Sequence, residues 1–142
     1  MGPASQTLRT GQPFTVTMSS DVANTGGTTW PNAVGNPNSG GGRNIYQWFN
    51  RAAFLAPAQY NFGNEGRNRV VGPPLTNVDL SLFKGFRVTE HKSFQFRAEF
   101  FNSLNHSQFG LPAATLGVPT FGQISSTVHS ARQIQLSLKF LF

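Results

Sequence analysis

The sequence contains no cysteine. Disulfides, thiol nucleophiles, CxxC redox pairs and cysteine-ligated metal sites are therefore excluded. No run approaches the ~18 apolar residues of a transmembrane helix. Charge is scarce too: charged residues make up 11% of the 142, against about 25% in ordinary globular domains. Acids are the scarcer sign, 5 Asp and Glu against 11 Lys and Arg, leaving a net charge of +6. The basic residues stand singly from Arg9 to Lys139. They form no run of the kind that marks a nucleic-acid or anionic-surface patch. The opening stretch MGPASQTLRTGQPF has no apolar core, so it does not read as a secretory signal.

What is abundant is phenylalanine, 14 residues, and glycine and proline, 15 and 9. Such an aromatic content does not fit a disordered chain. Apolar residues recur with period two and nowhere sustain a period of 3.6, which predicts an all-β protein without long helices. Four strands are expected, near 12–20, 77–86, 94–103 and 132–142. The first alternates Phe14, Val16 and Met18 against Thr15, Thr17 and Ser19. The second places Val78, Leu80, Leu82 and Phe86 opposite Asn77, Asp79 and Ser81. The third does the same with Phe94, Phe96, Ala98 and Phe100 against Gln95, Arg97 and Glu99. In the last, Ile134, Leu136, Leu138, Phe140 and Phe142 form one stripe and Gln133, Gln135, Ser137 and Lys139 the other.

Connections alternate long, short, long. RVTEHKS between the middle strands is short enough for a hairpin. Segments 21–76 and 104–130 are rich in Gly, Pro and Asn and are expected to be long loops, with SGGGRN a flexible turn. The alternation itself fits either a soluble sheet with one wet face or the wall of a membrane barrel. Barrels have short periplasmic turns, long extracellular loops and aromatic girdles, and Phe86, Phe100, Phe140 and Phe142 stand near strand ends. A hairpin centred near Glu90 places Ser81 near Glu99 and Phe83 near Arg97, with Asp79 a few residues above. Asp79, Arg97 and Glu99 then form a polar ladder, facing the lumen if the sheet belongs to a barrel.

No catalytic, cofactor-binding or metal-binding set emerges. His91, His106 and His129 lie far apart without ligand spacing. No GxSxG elbow is present, and the few carboxylates form no acid–base pair. KGFRVTEH echoes the start of an RNA-binding box, but Val88 stands where a second stacking aromatic is needed. Neither an enzyme nor a nucleic-acid-binding protein is expected.

GQPFTVT, DVANTGG, WFNRAAF, FGNEGRNRVVGPP, NVDLSLFKGF, FQFRAEFFNSLNHSQFG and ARQIQLSLKFLF occur in one order. Together they resemble the C-terminal segment of TonB-dependent receptors, above all those with an N-terminal carboxypeptidase-regulatory-like domain. The resemblance implies an outer-membrane β-barrel of 22 strands, closed by a plug domain and importing solutes. Only about four strands are present, so it implies an incomplete barrel, a fragment inactive on its own. Its partners would be outer-membrane lipid, the remainder of the barrel and plug, and the barrel-assembly machinery. Leu136, Leu138, Phe140 and Phe142 look like the signal that this machinery reads. A self-assembling secreted or cell-surface β-protein, its edges paired between copies, is the alternative expectation.

Overall fold

The computed structural model describes residues 3–142. Ten strands follow in chain order: β1 (Ala4–Arg9), β2 (Pro13–Phe14), β3 (Thr17–Met18), β4 (Asn32–Ala33), β5 (Phe54–Leu55), β6 (Val70–Val71), β7 (Leu75–Thr89), β8 (Lys92–Phe101), β9 (Thr115–Leu116) and β10 (Gln133–Leu141). One turn of 3₁₀ helix, Arg51–Ala53, precedes β5, and the described residues contain no α-helix. The chain divides into two units, one holding β1, β7, β8 and β10, the other built from residues 10–74 and 109–126.

The first unit is an antiparallel sheet in the order β1-β7-β8-β10. Its register follows the apolar parity: Leu80, Leu82 and Phe86 lie opposite Phe100, Ala98 and Phe94. On the next strand Ile134, Leu136, Leu138 and Phe140 lie opposite Phe100, Ala98, Phe96 and Phe94. A slip of one residue would move every one of these side chains to the other face. Glu90 and His91 close the β7–β8 hairpin. Neither has positive φ, so the primed turn that matches strand twist is not used, and a bulge between Arg87 and Thr89 absorbs the mismatch.

β1 is a strand that the sequence hides. ASQTLR carries a single large apolar residue, Leu8, and every position is exposed. It forms on the free edge of β7: β8 pairs with 80–89 on one edge, and β1 pairs with 75–80 on the other. From Leu82 onward β7 therefore has one open edge, as does β10 along its outer side. The sheet does not close.

The expected strand near 12–20 is not continuous. Pro13–Phe14 pairs antiparallel with β6 and Thr17–Met18 pairs parallel with β9. The alternation was a true burial signal, since Phe14 and Val16 are 7% and 0% exposed. It serves the core of the second unit, however, and not the sheet. Nor are 21–76 and 104–130 loose loops: most of their length builds that unit.

Phe49 is the centre of this second core, with the rings of Phe14, Phe54 and Phe121 edge-on at 5.8, 5.7 and 5.1 Å. Val16, Trp48, Ala53, Val70 and Ile124 complete it. The backbone is largely irregular, so side chains take the place of strand partners. Asn38 donates to Arg69 O at 2.8 Å and accepts from Val71 N at 2.9 Å. Trp48 Nε1 donates to Val71 O at 3.0 Å. SGGGRN is exposed except at Gly41, which sits against the backbone of Trp48 and Phe49. A Cβ on Gly41 would stand 2.7 Å from both Phe49 Cα and Trp48 O, so only glycine lets the backbones approach.

Candidate functional site

The chemistry of the sheet lies in the contrast between its faces. One face runs Ala4, Gln6 and Leu8 on β1, Thr76 to Phe86 at even positions on β7, Phe94 to Phe100 on β8, and Ile134 to Phe140 on β10. Nothing covers its large side chains within the described residues: Leu82 is 50% exposed, Leu136 65% and Leu138 68%. Near the hairpin Phe86, Phe94 and Phe140 form one row across three strands. The Phe94 and Phe140 rings are 4.7 Å apart, and Phe142 stacks on Phe140 at 5.7 Å.

The other face is polar. Ser81, Glu99 and Gln135 make one row, and Phe83, Arg97 and Ser137 the next. The pairings of Ser81 with Glu99 and of Phe83 with Arg97 are those the hairpin position predicts. Arg97 Nη2 and Glu99 Oε1 are 2.8 Å apart on the same strand face. Their side chains are 59% and 19% exposed, so the pair contributes no more than about 1 kcal/mol. Phe83, Phe101 and Leu141 depart from the pattern, apolar side chains on the polar face.

Asp79 stands away from this pair, in the row Ser5–Asp79 continued by Phe101 and Gln133. Its carboxylate accepts from Asn102 N at 2.9 Å and from Asn77 Nδ2 at 3.0 Å. Asn102 has a left-handed backbone, φ 49°, which suits an asparagine that ends a strand. Its own side chain donates to the carbonyls of His106 and Ser130, tying together the exits of β8 and the approach to β10. The three sequence candidates are thus split: Arg97 and Glu99 meet, while Asp79 anchors the end of the sheet opposite the hairpin.

Two residues of this end have no period-two signature. Gln108, 1% exposed, accepts from Thr76 N at 3.0 Å and donates to Thr76 O, so its amide imitates a paired strand where β8 has ended. The Asn102 backbone N–H donates to Asp79, and its side chain holds His106 and Ser130. The one cue for both was their place in FNSLNHSQFG, an amide-rich stretch just past a strand. A cavity of about 320 Å³ opens beside them, lined by Asn77, Asp79, Phe101, His129 and Gln133. A second, of about 300 Å³, adds His106, Gln108 and Thr127. Among the described residues no cluster of His, Asp and Glu has the arrangement of a metal site.

In the second unit Glu65 is the buried charge. Its side chain is 1% exposed, with Oε2 3.2 Å from Arg69 Nη1 and Oε1 without a partner. Burial raises its pKa above the usual carboxylate value, and the Arg69 charge and hydrogen bond oppose that rise.

A four-stranded antiparallel sheet, apolar over one face and polar over the other, meets a family model over residues 4–135, described as outer membrane beta barrel domain. The chain belongs to that family. No curated protein and no solved structure matches it. As an outer membrane beta barrel domain it resides in the bacterial outer membrane. No described helix is long and apolar enough to cross a membrane, and in this family the strands do the crossing. The four strands of the sheet do not close a barrel among the described residues.

Proposed function

We propose that the chain is wall and loop structure of a TonB-dependent receptor, a solute transporter of the outer membrane, with no catalytic role. One observation carries the reading: over most of β7, β8 and β10 apolar residues hold one parity and polar residues the other, with Lys84 and Lys92 on the apolar side and Phe83, Phe101 and Leu141 on the polar side as the exceptions. The apolar face meets lipid and the polar face, with Arg97, Glu99 and Asp79, lines the lumen. Receptor identity is supported by the seven motifs in order. The edges of β7 and β10 need further strands, because hydrocarbon cannot satisfy unpaired backbone groups. The rest of the barrel and the plug supply that need. β10, an exposed edge bearing Leu136, Leu138 and Phe140 and followed by Phe142, is the strand offered to the assembly machinery.

The hairpin at Glu90–His91 is periplasmic in this reading, and 21–76 and 104–130 are extracellular. Single cysteines at Ser39 and Thr89, both exposed, test it on intact cells with an impermeant thiol reagent. Ser39→Cys should label and Thr89→Cys should not; the reverse pattern overturns the orientation. Solute accumulation compared with and without the inner-membrane energy transducer tests the transporter class, and uptake unaffected by its loss refutes it. The same open edges favour a second reading, self-assembly of several copies. Light scattering without detergent separates the two: a discrete soluble oligomer supports self-assembly, and detergent dependence supports the barrel wall.

A further inference from the structure

We propose that the apolar face carries a site for the phosphodiester headgroup of a phospholipid, formed by Lys84 and Lys92 around the aromatic row Phe86, Phe94 and Phe140. The site rests on the reading of that face as lipid-facing. Lys84 interrupts the stripe of β7 between Leu82 and Phe86, directly opposite Phe96. By strand alternation Lys92 lies on the same face, two residues before Phe94. No other charged residue occupies this face of the four strands, and neither lysine forms an ion pair within the described residues.

A solitary ammonium among apolar side chains in hydrocarbon is strongly disfavoured unless it reaches the interface or finds an anion. The geometry shows which way Lys84 reaches. Its Nζ is 5.3 Å from the centre of the Phe86 ring, that is, toward the hairpin and the aromatic row. Adjacent rows on one face are two residues apart, about 7 Å along the strand. A lysine stem covers most of that distance, so the Lys84 charge arrives at the depth of the aromatic girdle. Lys92 approaches the same level from the hairpin side. Between them the row of three rings provides an apolar floor with a cation at each border.

The chemistry that completes this arrangement is a phosphodiester with acyl chains. Its non-bridging oxygens accept from both ammonium groups. Its chains then run away from the hairpin, over Phe96, Leu82 and Leu138. Short turns of outer-membrane barrels are periplasmic, which assigns the site to the periplasmic leaflet. A free phosphate ion satisfies the charges but gains nothing from the apolar floor.

The test uses the protein purified from outer membranes in detergent and counts bound lipid by native mass spectrometry. Wild type should retain phosphatidylglycerol in preference to the matching diacylglycerol, and inorganic phosphate should not displace it. Lys84→Met and Lys92→Met should each weaken retention about fivefold. Both changes make the face more apolar, so folding should survive, as heat-modifiable gel mobility will report. Equal retention of the two lipids, or unchanged retention in the double variant, overturns the site. Phe96→Trp isolates the underlying reading through quenching by brominated acyl chains. Quenching together with unchanged retention in the double variant removes the headgroup site and leaves the lipid-facing face standing. Absence of quenching removes both.

Discussion

Leu138 offers the sharpest test of which face meets lipid. It sits in the middle of β10, opposite Phe96, and is 68% exposed. Its neighbour Ser137 points to the opposite face, across from Arg97. Arginine on the lipid face of a barrel costs about 2–4 kcal/mol at the midplane. Leu138→Arg should therefore lower the folded-to-unfolded ratio by a factor of roughly thirty to several hundred, at ~1.4 kcal/mol per tenfold. Ser137→Arg should cost clearly less, since a one-residue step exchanges the faces and the side chain enters a polar row. Arg97 is its neighbour there, so like-charge repulsion leaves a residual cost of a few tenths of a kcal/mol. Leu138→Phe completes the set. Nothing in the described chain lies over Leu138, so lipid should accept the larger side chain with little change. A packed core over this face would instead lose ~1–3 kcal/mol to overpacking. Folded fractions of the three variants, made in the complete barrel and read from heat-modifiable gel mobility, decide the matter. A Phe variant as damaged as the Arg variant refutes a lipid-facing Leu138.

Three further outcomes follow from the geometry. Gly41→Ala should destabilise the second unit by ~1–3 kcal/mol, because its Cβ collides with the backbone of Trp48 and Phe49. Gly27→Ala, with nothing within 4 Å of its Cβ, should be near neutral, and thermal melts followed by tryptophan fluorescence compare the two. Asp79→Ala removes the acceptor of the Asn102 amide and should cost ~1–3 kcal/mol for the orphaned donor; faster hydrogen exchange at the Asn102 amide is the readout. Glu65 has a folded-state pKa above its ordinary value because burial opposes its charge, so the stability from this group is fully present below the unfolded pKa. It is lost as pH rises through the raised folded pKa. Relative to Glu65→Gln, wild type should lose melting temperature as pH rises from 4 to 7, and a constant difference rules out the titration.

The sequence by itself determined the strands whose two faces differ. Period-two alternation is a local property, and wherever Phe, Leu and Ile alternated with Ser, Gln and Arg, β7, β8 and β10 formed. The Ser81–Glu99 and Phe83–Arg97 pairings keep apolar residues opposite apolar ones: a bare two-residue turn at Glu90–His91 would set Leu82 opposite Glu99, and the bulge between Arg87 and Thr89 restores the parity. Only the tertiary structure decided where else the chain pairs. β1 has almost no alternation, and it exists because the long β7 presents an unpaired edge. The stripe marked burial correctly at Phe14 and Val16, yet alternation does not say what a strand is buried against, and its partners lie more than fifty residues away at Val70 and some hundred away at Thr115. Glycine- and asparagine-rich stretches read as loops because their order comes from close backbone approach and side-chain amides, neither of which leaves a periodic trace. The roles of Asn102 and Gln108 are decided in the same way: Gln108 completes the edge of β7 at Thr76, Asn102 ties the loop at His106 to Ser130, and only the folded neighbour shows which backbone groups were left to satisfy.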